Sequence, residues 1–198
     1  MKKIIALILL SFALPVLATG NPEQLIKDTT DQVLGAIKSN SESYQDDPSG
    51  LYKLVNEVVL PHFDFSRMTD MALGRYREKV SAEQRPAIEY EFRALLVRTY
   101  GGALLEYNEQ EIVFLPMEGS IEDGEVTVRS EIEQPGGFPI PIDYSMRFGD
   151  GGWKVYDISV DEVSLVTNYR SSFARAIKKT GVDGLIKTLQ QRNKSQAN

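Results

Sequence analysis

"GEVTVRSEIEQPGGFPIPIDYSMRFGDGGWKVYDISV", residues 124–160, is the stretch that decides the fold. In its first part, Val126, Val128 and Ile132 alternate with Glu125, Thr127, Arg129, Glu131 and Glu133. Successive side chains of a strand point to opposite faces, so a period of two reads as a strand with one apolar and one polar face. Ile142, Tyr144, Met146 and Phe148 repeat the pattern against Asp143, Ser145 and Arg147. A "GDGG" run at 149–152 supplies a tight turn into a further strand, Trp153 to Val160. The apolar residues of that strand change phase between Val155 and Tyr156, which predicts a bulge. Just upstream, Glu111 to Met117 is apolar on both faces and reads as the first strand. The whole is an antiparallel meander of about four strands.

On both sides of the meander the period becomes helical. Pro22 to Ser39 carries Ile26, Val33 and Ile37 on one face, and a polar link, Asn40 to Asp47, follows. Leu51, Leu54, Val55, Val58 and Val59 mark a second helix, ended by Pro61. Asp64 then suits an N-cap, with Phe63 and Met68 at the two positions of a hydrophobic staple. A short helix over Phe65 to Leu73 closes on Gly74. Ser81 and Gln84 form a capping-box pattern before the longest helix, which reaches about Tyr107 with Pro86 one turn in. Its stripe is Ile88, Phe92, Leu95, Leu96, Tyr100, Ala103, Leu104 and Tyr107. Beyond the sheet, Val163, Val166, Phe173 and Ile177 mark one helix and Val182 to Leu189 a short one. The expected fold class is therefore α+β, with helices covering a curved antiparallel sheet and able to enclose an apolar pocket.

The chain opens MKKIIALILLSFALPVLATG. Lys2 and Lys3, an apolar run from Ile4 to Leu14 and the small or modest residues Val16-Leu17-Ala18 before a cut predict a secretory signal peptide over 1–20, too short for a membrane span. Residues 21–189 then form a single domain and 190–198 a polar tail expected to fray. No other stretch is long and apolar enough to cross a bilayer, so the expectation is an exported, soluble protein. The chain has 198 residues, no cysteine and a formal net charge of −6. Disulfides, thiol catalysis and thiolate metal sites are excluded. An acidic balance argues against nucleic acid as a partner. Charge is uneven: Glu106 to Glu133 holds nine acidic residues and one basic, while the chain from Arg170 onward holds seven basic and one acidic.

A single histidine, His62, removes paired-His zinc sites, and no Gly-x-Ser-x-Gly, Walker loop or Gly-x-Gly-x-x-Gly occurs. No metal and no catalytic residue is assigned. The one catalytic alternative is an enzyme built on His62 and Asp64. Because Asp64 already serves as a cap, the stretch reads first as scaffold.

Two blocks carry a resemblance. The first is "VLPHFDFSRMTDMALGRYR" with "SAEQRPAIEYEFRALLVRTYGGALLEY". The second is "IDYSMRF", "GGWKVYDISVDEVSLVTNYRSSF" and "GVDGLIKTL", of which Trp153-Lys154-Val155-Tyr156-Asp157 is the most specific part. Over nearly all of residues 21–198 the sequence resembles the MlaC, or toluene-tolerance, family of periplasmic phospholipid-binding proteins. Arg77 departs from it, standing where the family often carries an aromatic. The resemblance implies an NTF2-like sheet with helices around a deep apolar pocket, and phospholipid as cargo with no other cofactor. It implies a carrier crossing the periplasm and maintaining outer-membrane lipid asymmetry. Its implied partners are an inner-membrane ABC transporter with an MCE-domain subunit and an outer-membrane lipoprotein–porin complex. Other readings are an NTF2-like periplasmic enzyme using His62 and Asp64, or a binding protein for small hydrophobic solvents. The lipid-contacting residues are expected to be Phe92, Leu95, Leu96, Tyr100, Leu104, Tyr107, Val113, Val128, Met146, Val155 and Val166. Tyr76 and Arg147 are expected at the pocket mouth.

Overall fold

Alternation over 125–160 becomes a regular antiparallel ladder in the computed structural model, which describes residues 20–107 and 109–195. Nearly all of the signal-peptide segment lies outside the described residues. The strands are β1 (Ile112–Ser120), β2 (Glu125–Ile132), β3 (Ile140–Gly149), β4 (Gly152–Val160) and β5 (Val163–Ser164), hydrogen-bonded in that order. β5 is a two-residue addition to the four strands expected. The segment around Val163 pairs with Ser159 and Val160 before the last helix begins.

Tyr156 is the extra residue of the bulge: Ser145 pairs with Asp157 and Met146 with Val155. The phase change in the sequence is thus a backbone irregularity that lets Val155 and Ile158 share one face. A second bulge interrupts β1 between Leu115 and Glu118, around Pro116, which has no N–H to give to a ladder. The β3–β4 turn uses Gly151 and Gly152 at φ +95° and +100°, a region closed to most side chains.

The helices are α1 (Pro22–Asp46), α2 (Ser49–Leu54), α3 (Phe65–Leu73), α4 (Arg85–Gly101) and α5 (Leu165–Ser195). α1 continues past the expected end at Ser39 through a kink at Asn40, whose side-chain amide donates to Ala36 O at 2.8 Å. After α2 the chain passes through a π-helical turn (Val55–Val59) and a 3₁₀ turn (Leu60–His62) to reach Asp64. Asp64 accepts from Arg67 N–H at 2.9 Å, the capping bond read from the sequence. Ser81 and Gln84 exchange both bonds of a capping box, at 3.1 and 3.3 Å. Pro86 falls in the first turn of α4, where its missing N–H costs no helical bond. α4 stops at Gly101 and tightens to a 3₁₀ turn over Gly102–Glu106.

The two helices expected at this end both form within α5, separated by a kink at Gly181, whose φ of +73° is not helical. The polar end of the chain also differs from expectation. The helix runs to Ser195 because Asn193 is buried against α4, donating to Glu91 O at 3.0 Å and Glu91 Oε2 at 2.6 Å. Arg98 closes the same contact onto Asn193 O.

Three clusters hold these elements together. One joins α3, α4 and α5 through Met68, Phe92, Leu95, Phe173 and Leu185. A second packs Val126, Val128, Met146, Trp153 and Val155 of the sheet against Ile26 of α1. The third holds α1 to α2 through Val33, Ile37, Leu51 and Val55.

Candidate functional site: an apolar cavity at one end of the sheet

Residues 126, 128, 130 and 132 of β2 share one face, as do 140, 142, 144 and 146 of β3. At one end of that face Val126, Val128 and Met146 are fully packed. Toward the other end the packing stops. There Ile132, Ile140, Ile142 and Tyr144 border a cavity of about 550 Å³, within the range of about 300–1,000 Å³ usual for ligand sites. Ile26, Val33 and Leu34 of α1, Val55 and Leu60, and Leu96, Val97 and Tyr100 of α4 form its other walls. Its few polar neighbours include Thr29, Thr30, His62, Glu106 and Gln134.

Of the eleven residues expected to touch a ligand, Leu96, Tyr100, Leu104, Tyr107 and Val155 border this cavity. Phe92, Leu95 and Val166 lie in the α3–α4–α5 cluster instead. The stripe of α4 is divided lengthwise: its first half packs on helices and its second half faces the cavity. Leu165, one residue before Val166, takes the wall position. Val128 and Met146 are on the expected sheet face but at its packed end. Val113 is on the opposite face of β1, since Ile112 pairs with Ile132 and borders the cavity. Tyr76 is buried in the helical cluster, with the Arg75 and Lys79 side chains near its ring. Arg147 faces a separate polar groove and not the cavity.

The sequence reading missed α1 and the Val55–Leu60 segment as walls. The apolar face of α1 was visible in Ile26, Val33 and Ile37, but a helical stripe does not say whether it meets side chains or a void.

Burial raises the hydroxyl pKa of Tyr144, and a hydrogen bond with Ser130 opposes that shift. Burial, and then the neighbouring Tyr169, push Tyr100 up to about 12. Both of these cavity-bordering tyrosines are therefore neutral at ordinary pH. His62 is held below its usual value by burial and by Lys154, so it too is predominantly neutral near pH 7. No hydrogen bond or ion pair joins His62 to Asp64 among the described residues; the Asp64 carboxylate is engaged by Arg67 N–H and by Arg147 Nε at 3.8 Å.

Fold and site together define a class: a small α+β domain whose helices roof an apolar cavity at one end of an antiparallel sheet. Within that class the chain belongs to the MlaC family, whose sequence model, described as MlaC protein, matches residues 27–191. It is similar to toluene tolerance protein ttg2D of Pseudomonas putida, 29% identical over 191 residues, which is 96% of this chain and 87% of that protein. It is also similar to the intermembrane phospholipid transport system binding protein MlaC of Haemophilus influenzae, 29% identical over 178 residues, 88% of this chain and 83% of that one. Among solved structures it matches a phospholipid-binding protein from Ralstonia solanacearum, in complex with a phospholipid. That match has TM-score 0.83 and 33% identity, over 90% of this chain and 100% of the other.

Proposed function

We propose that the protein is a periplasmic phospholipid carrier, not an enzyme. It holds acyl chains in the apolar cavity and shuttles lipid between the outer and inner membranes, maintaining outer-membrane lipid asymmetry. The observation that carries this reading is the cavity itself, with isoleucine, leucine and valine walls from α1, α4 and four strands. Membership of the MlaC family and the phospholipid held by the Ralstonia solanacearum relative support it. The partners in this reading are an inner-membrane ABC transporter with an MCE-domain subunit and an outer-membrane lipoprotein–porin complex.

The energetics suit a carrier. Two acyl chains of roughly 30 CH₂ groups, at about 0.8 kcal/mol each, are more than 20 kcal/mol worse off in water than in a bilayer. A protein that moves them must offset nearly all of that and exceed it by little, or release becomes slow. Direction is then set by partners that favour the loaded or empty form. The charged headgroup stays at the wet rim, because burying it unpaired is costly. Lipid contacts are assigned to Leu96, Tyr100, Leu104, Tyr107 and Val155, with Ile142 and Tyr144 added from the cavity wall.

The test is to purify the mature protein without detergent, extract it with solvent and identify lipids by mass spectrometry. Near-stoichiometric phospholipid is expected. Protein that remains lipid-free after exposure to phospholipid vesicles would refute the reading.

A further inference from the structure

A second concavity lies on the other side of α3. It measures about 880 Å³, is open to solvent and shares no lining residue with the apolar cavity. Five arginines border it: Arg67 from α3, Arg75 and Arg77 from the 3₁₀ turn over Gly74–Lys79, Arg147 from β3 and Arg170 from α5. They are five of the eleven arginines in an acidic chain, and no lysine lies among them. Three stretches distant in sequence, α3 with the turn that follows it, β3 and α5, thus bring one residue type to one place.

Carboxylates neutralise only part of this set. Asp64 is engaged by the α3 cap and Arg147, and Asp70 pairs at 2.7 Å with Arg85, which lies outside the groove. Glu78 is the remaining one. Arg67 is bound to Glu125 at 2.9 Å. Arg75, Arg77 and Arg170 have no carboxylate within salt-bridge distance among the described residues.

Several of the guanidiniums are held in place. Arg67 stacks over the Tyr156 ring at 4.3 Å. Arg170 donates through Nε to Met71 O at 3.0 Å, leaving its two terminal amino groups uncommitted by that bond. Its stem lies over Gly74, where a Cβ would sit 3.3 Å from Arg170 Nε. Gly74 is at φ +53°, so this position suits glycine both for backbone conformation and for the approach of Arg170. A planar fork of N–H donors, fixed through Nε and stem, is suited to bidentate capture of phosphate oxygens.

We propose that this groove is a second binding site, selective for a phosphate-bearing anion and separate from the lipid cavity. The phosphate comes either from the headgroup of an anionic lipid at a membrane surface or from a soluble phosphate compound.

The experiment uses the lipid-loaded full mature chain at low ionic strength, where such contacts are least screened. Arginine Nε–H NMR signals are followed on addition of inorganic phosphate and, separately, pyrophosphate. Flotation is measured with vesicles of phosphatidylcholine alone or with phosphatidylglycerol. Saturable shifts are expected at Arg170 and its neighbours. The Arg75→Gln/Arg77→Gln double variant, altered only at exposed positions, should bind at least about tenfold more weakly. Arg170→Lys, which keeps the charge and loses the fork, should also weaken binding. The lipid content of the cavity should be unchanged in every variant, which separates this test from that of the carrier reading. Flotation only with phosphatidylglycerol vesicles, competed by phosphate, identifies a headgroup as the source. Phosphate binding without flotation identifies a soluble compound. Absence of saturable shifts, equal binding by the double variant, or preference for an acidic peptide over pyrophosphate would each overturn the proposal.

Discussion

The backbone N–H of Asp64 donates to the carbonyl of Val155 at 2.8 Å, so the residue that caps α3 is tied to a strand that walls the cavity. Removing the carboxylate leaves this backbone bond but exposes the start of α3. Asp64→Ala should therefore cost about 1 kcal/mol, measured by urea unfolding, and Asp64→Asn much less. Lipid content should be unchanged in both. An Asp64→Asn protein of normal stability that carries no lipid would show that the carboxylate acts in binding and not as scaffold.

The two halves of the α4 stripe should respond differently to substitution. Phe92 is fully buried between Tyr169 and Phe173, with ring centroids 5.2 and 5.1 Å away. Phe92→Ala should cost about 3–5 kcal/mol through lost contacts and the space left behind. Leu104, further along, is half-buried at the cavity wall. Leu104→Trp should fill part of the cavity, lowering bound lipid per protein while shifting stability by less than Phe92→Ala. Mass spectrometry and thermal unfolding of both variants together test the division.

Much of this was legible because local rules act at short range. Alternation placed β2, β3 and β4, and the phase slip at Val155–Tyr156 placed the bulge, since each depends only on neighbouring residues. The cap at Asp64 and the box at Ser81–Gln84 were readable for the same reason. What alternation lacks is depth: Val128 and Ile132 obey one rule, yet one is packed and the other faces a void. That difference is made by α1 and the Val55–Leu60 segment, whose position over the sheet is not a local property. Val113 was misplaced because β1 is apolar on both faces, leaving no contrast from which to choose a phase. The arginine groove was invisible for a similar reason, as its five members come from three separate stretches.

Asp157 closes the most specific stretch of the sequence, and the structure gives it a structural role. Its buried carboxylate accepts from Val166 N–H at 3.2 Å and from the Ser164 hydroxyl, fixing the start of α5 to β4. Asp157→Ala should leave a buried N–H unpaired and cost about 1–3 kcal/mol or more. Asp157→Asn, retaining an oxygen acceptor, should cost less. Hydrogen exchange at Val166 should speed up in the alanine variant ahead of amides in the middle of β2.

Acid should weaken the fold through His62. Burial and Lys154 hold its folded pKa below the ordinary 6.5. As pH falls below about 6.5, the unfolded chain takes up a proton that the folded chain resists, so stability declines. His62→Gln should flatten the pH dependence of the urea midpoint just below 6.5, leaving the carboxylate-driven loss at lower pH in place.

Alkali should act through the cavity tyrosines, with the sign reversed. Tyr100 is raised to about 12 and Tyr144 is raised as well, each chiefly by burial, from an ordinary value of 10.0. The folded protein therefore keeps both protons after the unfolded chain has begun to lose them. Stability from these groups is fully present below pH 10 and is lost as pH rises through the folded values. Tyrosinate absorbance should show two late-titrating phenols in the native protein. In the Tyr100→Phe/Tyr144→Phe variant both should vanish and the alkaline fall in stability should shrink. Bound lipid should deepen the effect, since acyl chains in the cavity withdraw further water from both hydroxyls. The late titration should then move to still higher pH in loaded protein than in protein stripped of lipid, and an identical titration in the two forms would place the lipid elsewhere.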